Sequence, residues 1–281
     1  MFKKSLSVSN TTLFDKILIH KDSNEYIVAN SYLHTLRDHP EFSKKYNILK
    51  IERLWLVVRF KLVFIVRIFQ SIFNRKYSYP HQEGVKSDVL FVSHLTNGKQ
   101  LLKNDDAYFG DLPEQLLDHG VGSSIALLKH TTITNKKAMK GWQDSHISKF
   151  LLSSSLDLLS EVRLYFVLRK SKKQLKSILK DLQVDRELVK NILCHHLSSS
   201  AFSSLRFAKQ VAEIAKKTGT KFVVTTYEGH AWERLVYYYV RKINPSVKCF
   251  GYQHAAVFES QHAIKRPLSA MYNPDVVLTS G

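Results

Sequence analysis

Cysteine is nearly missing from this chain of 281 residues: Cys194 and Cys249 are the two it has. Two are too few for a disulfide framework or a cysteine-built zinc ribbon, and they fit a reducing cytoplasm. Acidic residues are also scarce. Forty-two lysines and arginines stand against 24 aspartates and glutamates, a formal net charge of +18, so the expected partner is anionic: a phospholipid surface, a phosphorylated substrate or a nucleic acid. Several motifs are absent. There is no G-x-G-x-x-G, no G-x-x-x-x-G-K-[ST] and no G-x-S-x-G, which removes most of the case for a dinucleotide oxidoreductase, a P-loop NTPase or an α/β-hydrolase. Nor is there a solenoid repeat, or a recognition-helix, RRM or zinc-finger pattern. A nucleic-acid-binding protein would therefore rest on charge and frequent aromatics without a recognition motif, and no nucleic acid is expected as a partner.

What is present is ordinary globular composition, 44% hydrophobic and 23% charged, enough for one large domain or two small ones. Residues 1–10 carry lysines with no apolar stretch behind them, so no secretory signal is expected and synthesis should end in the cytosol. Leu54 to Phe73 stands out, because its apolar residues are interrupted by Arg59, Lys61 and Arg67. Each cation costs roughly 2.5–3.5 kcal/mol at a bilayer centre, so a spanning helix is disfavoured. A helix over residues 51–76 lying on a membrane surface is cheaper: its cations reach lipid phosphates while Trp55, Phe60, Phe64 and Phe69 enter the interface. The alternative is the same helix buried against the rest of the protein.

Residues 1–85 read as a helical N-terminal region, with a short helix near Tyr26 to Arg37, a break at Pro40, the basic apolar helix, and a Tyr77 to Lys86 linker containing Pro80 and Gly84. From residue 86 the pattern changes. Asp88 to His94 is a short apolar run suited to a strand buried on both faces. Asp111-Leu-Pro-Glu114 signals a helix start, Ser123 to Leu128 gives a second strand, and Ile147 to Lys170, Lys172 to Leu182 and Arg186 to Lys217 read as helical. A break is expected within Ser198 to Ser204, and Gly219 closes the helical region. Strands at Lys221 to Tyr227 and Ser246 to Tyr252 flank a helix from Ala231 to Ile243, and Pro274 to Gly281 starts one more strand. The expected fold is therefore α/β, a parallel sheet with flanking helices and right-handed crossovers. A final apolar strand without a closing helix is expected of either an incomplete protein or one with a missing second domain.

Ligands of such sheets bind beyond the carboxyl ends of the strands. The residues there are Ser93, His94 and Thr96, then Tyr227, Glu228, Gly229, His230, Trp232 and Glu233, then Gln253 and His254. Glu228, between a strand end and a helix start, is the candidate general base; the plain alternative is a helix-capping carboxylate. Glu233, three residues after His230, fits a capping box better than catalysis. His254 suits a phosphate or a sugar hydroxyl, or else is a satisfied, partly buried histidine. Trp232 offers a face to a sugar ring or packs the helix start. His230, His254 and His262 with Glu228 contain metal-binding residue types, but without H-E-x-x-H spacing no metal is expected. His195-His196 and Tyr237 to Tyr239 read as ordinary helix packing.

Asp106 to Pro113, Thr226 to Glu233, Gly251 to His254 and Pro274 to Gly281 together resemble the N-terminal half of bacterial surface-carbohydrate biosynthesis proteins. These are similar to GT-B glycosyltransferases of capsule and lipopolysaccharide assembly, including the Kdo-transferase-like and sialyltransferase-like groups. The resemblance covers about residues 86 to 281. It implies a Rossmann-like domain that holds the acceptor, with the nucleotide-sugar donor held by a second domain beyond Gly281, and no redox cofactor. Glu228-Gly229 matches the last two positions of the sialyltransferase base motif, while Tyr227 stands where an acidic residue is often found. Glu228 is then the expected base, with His94, Tyr227, Gly229, His230, Trp232, Gln253 and His254 binding substrate. The implied partners are a nucleotide-sugar donor, a glycan or lipid-linked acceptor and an anionic membrane surface, with the protein cytoplasmic and peripheral on the inner membrane. The alternatives are a non-catalytic membrane-surface or scaffold protein and a basic nucleic-acid-binding protein.

Overall fold

The structure, a computed structural model, describes residues 13–34, 50–73, 84–101, 105–143, 145–255 and 263–279. Six strands form one sheet: β1 (Val89–Leu95), β2 (Ser123–Lys129), β3 (Ser148–Leu151), β4 (Phe222–Thr226), β5 (Lys248–Gln253) and β6 (Val276–Thr279). Their spatial order is β3-β2-β1-β4-β5-β6, and every neighbouring pair is parallel. The chain builds outward from β1 to β3, then returns to the other side of β1 and builds outward again. That reversal is the Rossmann-like α/β arrangement, and it opens a crevice between the carboxyl ends of β1 and β4. In β1 and β2, six of the seven residues are buried, as a parallel sheet covered on both faces requires.

The helices are α1 (13–19), α2 (Glu25–Val28), α3 (Lys50–Phe73), α4 (Leu112–Asp118), α5 (Asn135–Gly141), α6 (Leu158–Asp181), α7 (Arg186–His196), α8 (Ser199–Thr218) and α9 (Ala231–Ile243). The expected helix from Ile147 is corrected: Ser148–Leu151 is β3, and Leu152 to Leu156 leads to Asp157, whose carboxylate accepts the Ser160 N–H and starts α6. A short apolar run ending in serines is a strand followed by a cap, and α6 then runs unbroken through Ser171. The expected break near Ser198 occurs, with the Ser198 hydroxyl capping α8, and Gly219 closes α8 in the left-handed region at φ 70°. Pro113 lies in the first turn of α4, yet the Asp111 side chain makes no capping hydrogen bond. The expected Tyr26 to Arg37 helix reduces to α2 and a 3-10 turn at Ser31–His34. Arg37, Pro40 and most of the Tyr77 to Lys86 linker lie outside the described residues.

Packing is continuous across the boundary expected near residue 85. Phe14, Ile17, Ile27, Leu33 and Phe60 belong to the same apolar cluster as Leu90 and Val92 of β1 and the inward faces of α6, α8 and α9. A buried ion pair ties α6 to α8: Arg206 donates from Nε to Glu161 Oε1 at 2.6 Å and from a terminal nitrogen to Oε2 at 2.7 Å. The last segment hangs on arginines of α9. Arg234 donates to the carbonyls of Ala263 (2.6 Å) and Arg266 (3.0 Å), and Arg241 to those of Ala270 and Asn273 and to the Asp275 carboxylate.

Candidate functional site

The crevice between β1 and β4 holds a pocket of about 370 Å³. Each strand tip beside it supplies a side chain: His94 from β1, His130 just past β2, Thr226 and then Glu228 and His230 past β4, and His254 past β5. Trp232 enters from the first turn of α9 and Tyr108 from the loop before α4. Ser31 and His34 of the 3-10 turn, Ser200 and Ser204 of α8, and Ala231 and Glu233 of α9 complete the lining.

The turn after β4 is built from its own backbone. The Tyr227 N–H continues the sheet to the Tyr252 carbonyl at 2.8 Å. Gly229 then takes φ 80°, a conformation that favours glycine. Beneath it the buried Glu233 carboxylate accepts the His230 N–H at 2.7 Å and the Glu228 N–H at 3.1 Å, so Glu233 caps the start of α9 as its spacing indicated. Burial raises the Glu233 pKa to about 7, against the opposing pull of His230 and the two N–H donors. With Glu233 occupied by the backbone, the Glu228 side chain is left for the pocket.

Glu228 Oε2 accepts a hydrogen bond from His230 Nε2 at 3.1 Å, and Glu228 Oε1 lies 3.9 Å from His254 Nε2. The hydrogen bond from His230 lowers the Glu228 pKa, overcoming burial, with the nearby imidazoles adding to the effect. Burial alone would lower the His230 pKa; the bond to Glu228 and the charges of Glu233 and Glu228 carry it above its ordinary value. Carboxylate and imidazole thus favour the ionised form of each other. His94 behaves oppositely. Burial, reinforced by repulsion from His130, His254 and His230, brings its pKa down to about 4, so it is neutral near pH 7. Its Nδ1 bonds His130 Nε2 at 2.9 Å and its Nε2 bonds Thr226 Oγ1 at 3.2 Å. Aromatic rings meet the imidazoles at near right angles: Trp232 meets His94 at 5.5 Å and 90°, and Tyr108 meets His254 at 4.7 Å and 80°.

Of the expected residues, Glu228, His94, His230, Trp232 and His254 come together on this pocket. Tyr227 does not. It is 2% exposed, and its ring packs in the core against Gly251, Arg234 and Tyr237, because the residue just past β4 points to the opposite face from Thr226 before it. Gln253 is also corrected: its amide turns to the Ala255 carbonyl and does not line the pocket. Gly229 is there for the backbone of Ala263, since a Cβ would meet Ala263 C and O at 2.2 Å. Among the described residues no group of three or more histidines, cysteines, aspartates or glutamates is arranged to hold a metal ion; His262 lies outside them. His130, Tyr108 and Thr226 were not among the expected site residues. Applying the strand-tip rule to β2 finds His130, and ending β4 one residue earlier finds Thr226. Tyr108 carries no such local signal.

Neither the protein-family models nor the curated proteins compared with the chain match it. Among solved structures, it is similar to a hydrogen sulfide-producing enzyme from Fusobacterium nucleatum, at 14% identity and a TM-score of 0.20, over 77% of this chain and 66% of that one. The chain thus spans just under two thirds of that enzyme. So loose a likeness carries no inference about chemistry, and the fold assignment rests on the strand order.

Proposed function

We propose that this chain is the acceptor-side part of a glycosyltransferase that moves a sugar from a nucleotide-activated donor to a glycan or lipid-linked precursor of a cell-surface polysaccharide. One observation carries the reading: the 3.9 Å gap between Glu228 Oε1 and His254 Nε2 at the pocket. It is too wide for a direct hydrogen bond, and a hydroxyl oxygen between the two groups lies about 2.8 Å from each. There the hydroxyl donates its proton to Glu228 Oε1 while its oxygen attacks the anomeric carbon. The bond from that carbon to the donor phosphate breaks, and its electron pair leaves with the nucleotide. His230 orients the carboxylate, and Trp232 and Tyr108 offer apolar faces to a sugar ring. The excess of 42 basic over 24 acidic residues suits an anionic donor and an acceptor held at the cytoplasmic face of a membrane.

The test is incorporation of labelled sugar into membrane glycan, with CMP-, UDP- and GDP-linked sugars supplied in turn to wild type and Glu228→Gln. Transfer should fall by roughly 10²–10⁴-fold in the variant, with its circular dichroism spectrum that of the folded wild type. Retained transfer would remove Glu228 as the base.

A further inference from the structure

We infer that the outward face of α3 is a docking surface for an anionic lipid bilayer, with the helix lying along the membrane. This deepens the membrane location in the proposed function and rests on that part of it alone; the chemistry at Glu228 is independent. The residues Ile51, Leu54, Trp55, Val58, Leu62, Ile65, Val66, Phe69 and Ile72 are all exposed, Trp55 by 61%, Leu62 by 55% and Phe69 by 57%. At the angular step of an α-helix they fall within an arc of about 120°, over a length of about 30 Å. The opposite arc is occupied by the protein itself. Phe60 and Phe64, expected at the interface, belong instead to this side: Phe60 is buried against Phe202 and Tyr165, Phe64 packs on the same Tyr165, and Arg53 pairs with Glu187 at 2.9 Å. The exposed stripe is therefore not a core face awaiting an element among the described residues.

Charge selects the occupant. Arg59 and Lys61 are exposed and border the stripe on its two sides, about 80° from its centre. A second copy of the chain laid on this face would bring the same cations together, and each copy carries +18. The stripe is also broader than the two-position seam of a coiled coil. An anionic bilayer satisfies both parts of the face: apolar side chains enter the acyl boundary while Arg59 and Lys61 reach lipid phosphates. Among the described residues no helix is long and apolar enough to cross a membrane, so α3 lies along the surface.

Flotation of the full chain with vesicles tests this, using phosphatidylcholine alone and phosphatidylcholine mixed with phosphatidylglycerol. Wild type should float with the mixed vesicles, at least roughly ten-fold more tightly than with phosphatidylcholine alone. The triple variant Leu62→Gln, Ile65→Gln, Phe69→Gln should lose at least about ten-fold in binding, and Arg59→Glu with Lys61→Glu should abolish the preference for phosphatidylglycerol. Circular dichroism of each variant confirms that it is folded; these side chains are exposed. Equal flotation of wild type and the triple variant, or no preference for the anionic vesicles, overturns the inference. So does light scattering that shows a wild-type dimer, a monomeric triple variant and no vesicle binding by either. Glu228→Gln should float like wild type, so failure of the docking surface and failure of the proposed base are read separately.

Discussion

Replacing Gly229 by alanine should unfold the turn that carries Glu228, and the size of the effect follows from two sources. The first is conformational: at φ 80° a residue with a Cβ costs about 1–2 kcal/mol more than glycine. The second is steric. The new Cβ would lie 2.2 Å from Ala263 C and O and 2.5 Å from Ile264 N, all of them backbone atoms. They cannot yield cheaply, because the Ala263 carbonyl is held by Arg234 at 2.6 Å. Overpacking of this kind adds about 1–3 kcal/mol, for a total of about 2–5 kcal/mol. Gly219→Ala is the control that separates the two. It has a similar φ of 70° with nothing within 4 Å of the new Cβ, so it carries the conformational cost alone. Urea unfolding followed by far-ultraviolet circular dichroism gives both values. A Gly229→Ala variant no less stable than Gly219→Ala would refute the claim that the Ala263 backbone dictates glycine here.

Three further outcomes can be checked. Removing one partner of the buried Glu161–Arg206 pair, as in Arg206→Met, should cost about 3–5 kcal/mol in denaturant unfolding, whereas Arg206→Met combined with Glu161→Leu should recover most of it; equal losses in single and double variants would contradict this. Glu233 has a folded-state pKa raised from 4.5 to about 7, so its contribution is fully present below the unfolded value and is lost as pH rises through about 7. Glu233→Gln, which does not titrate, should therefore gain on wild type between about pH 5 and pH 8, by up to about 3 kcal/mol, and a pH-independent difference in stability would argue against the buried carboxylate. In a histidine ring NMR titration, His94 should stay neutral until about pH 4 while His230 protonates above its ordinary value; a His94 midpoint near 6.5 would mean that solvent reaches that ring.

The later strands were readable in the chain because β4, α9 and β5 alternate between apolar runs and a helical period, with Asn244-Pro245 as punctuation. The strand tips followed from the same pattern, which is why Glu228, His94 and His254 could be placed together. The capping role of Glu233 was legible from its three-residue spacing. What escaped was set by tertiary contact. β3 is four residues long and its pattern merges with α6 until the Asp157 cap is seen. Tyr227 sits at a strand end like its neighbours, but only the sheet's pleat decides that its ring faces the core. The lower wall of the pocket, Ser31, His34, Ser200 and Ser204, joins segments far apart in sequence through packing alone.

The order of the strands has a kinetic corollary. His94 and His130 belong to the first half of the sheet and Glu228 and His254 to the second, and the two halves of the sheet join where Val89 to Val92 lie beside Phe222 to Thr225. Closing so large a loop is among the slowest events in a folding chain. During refolding, helices and local βα units would regain their spectra first, and the imidazole and carboxylate groups would acquire their neighbours only when the central seam zips.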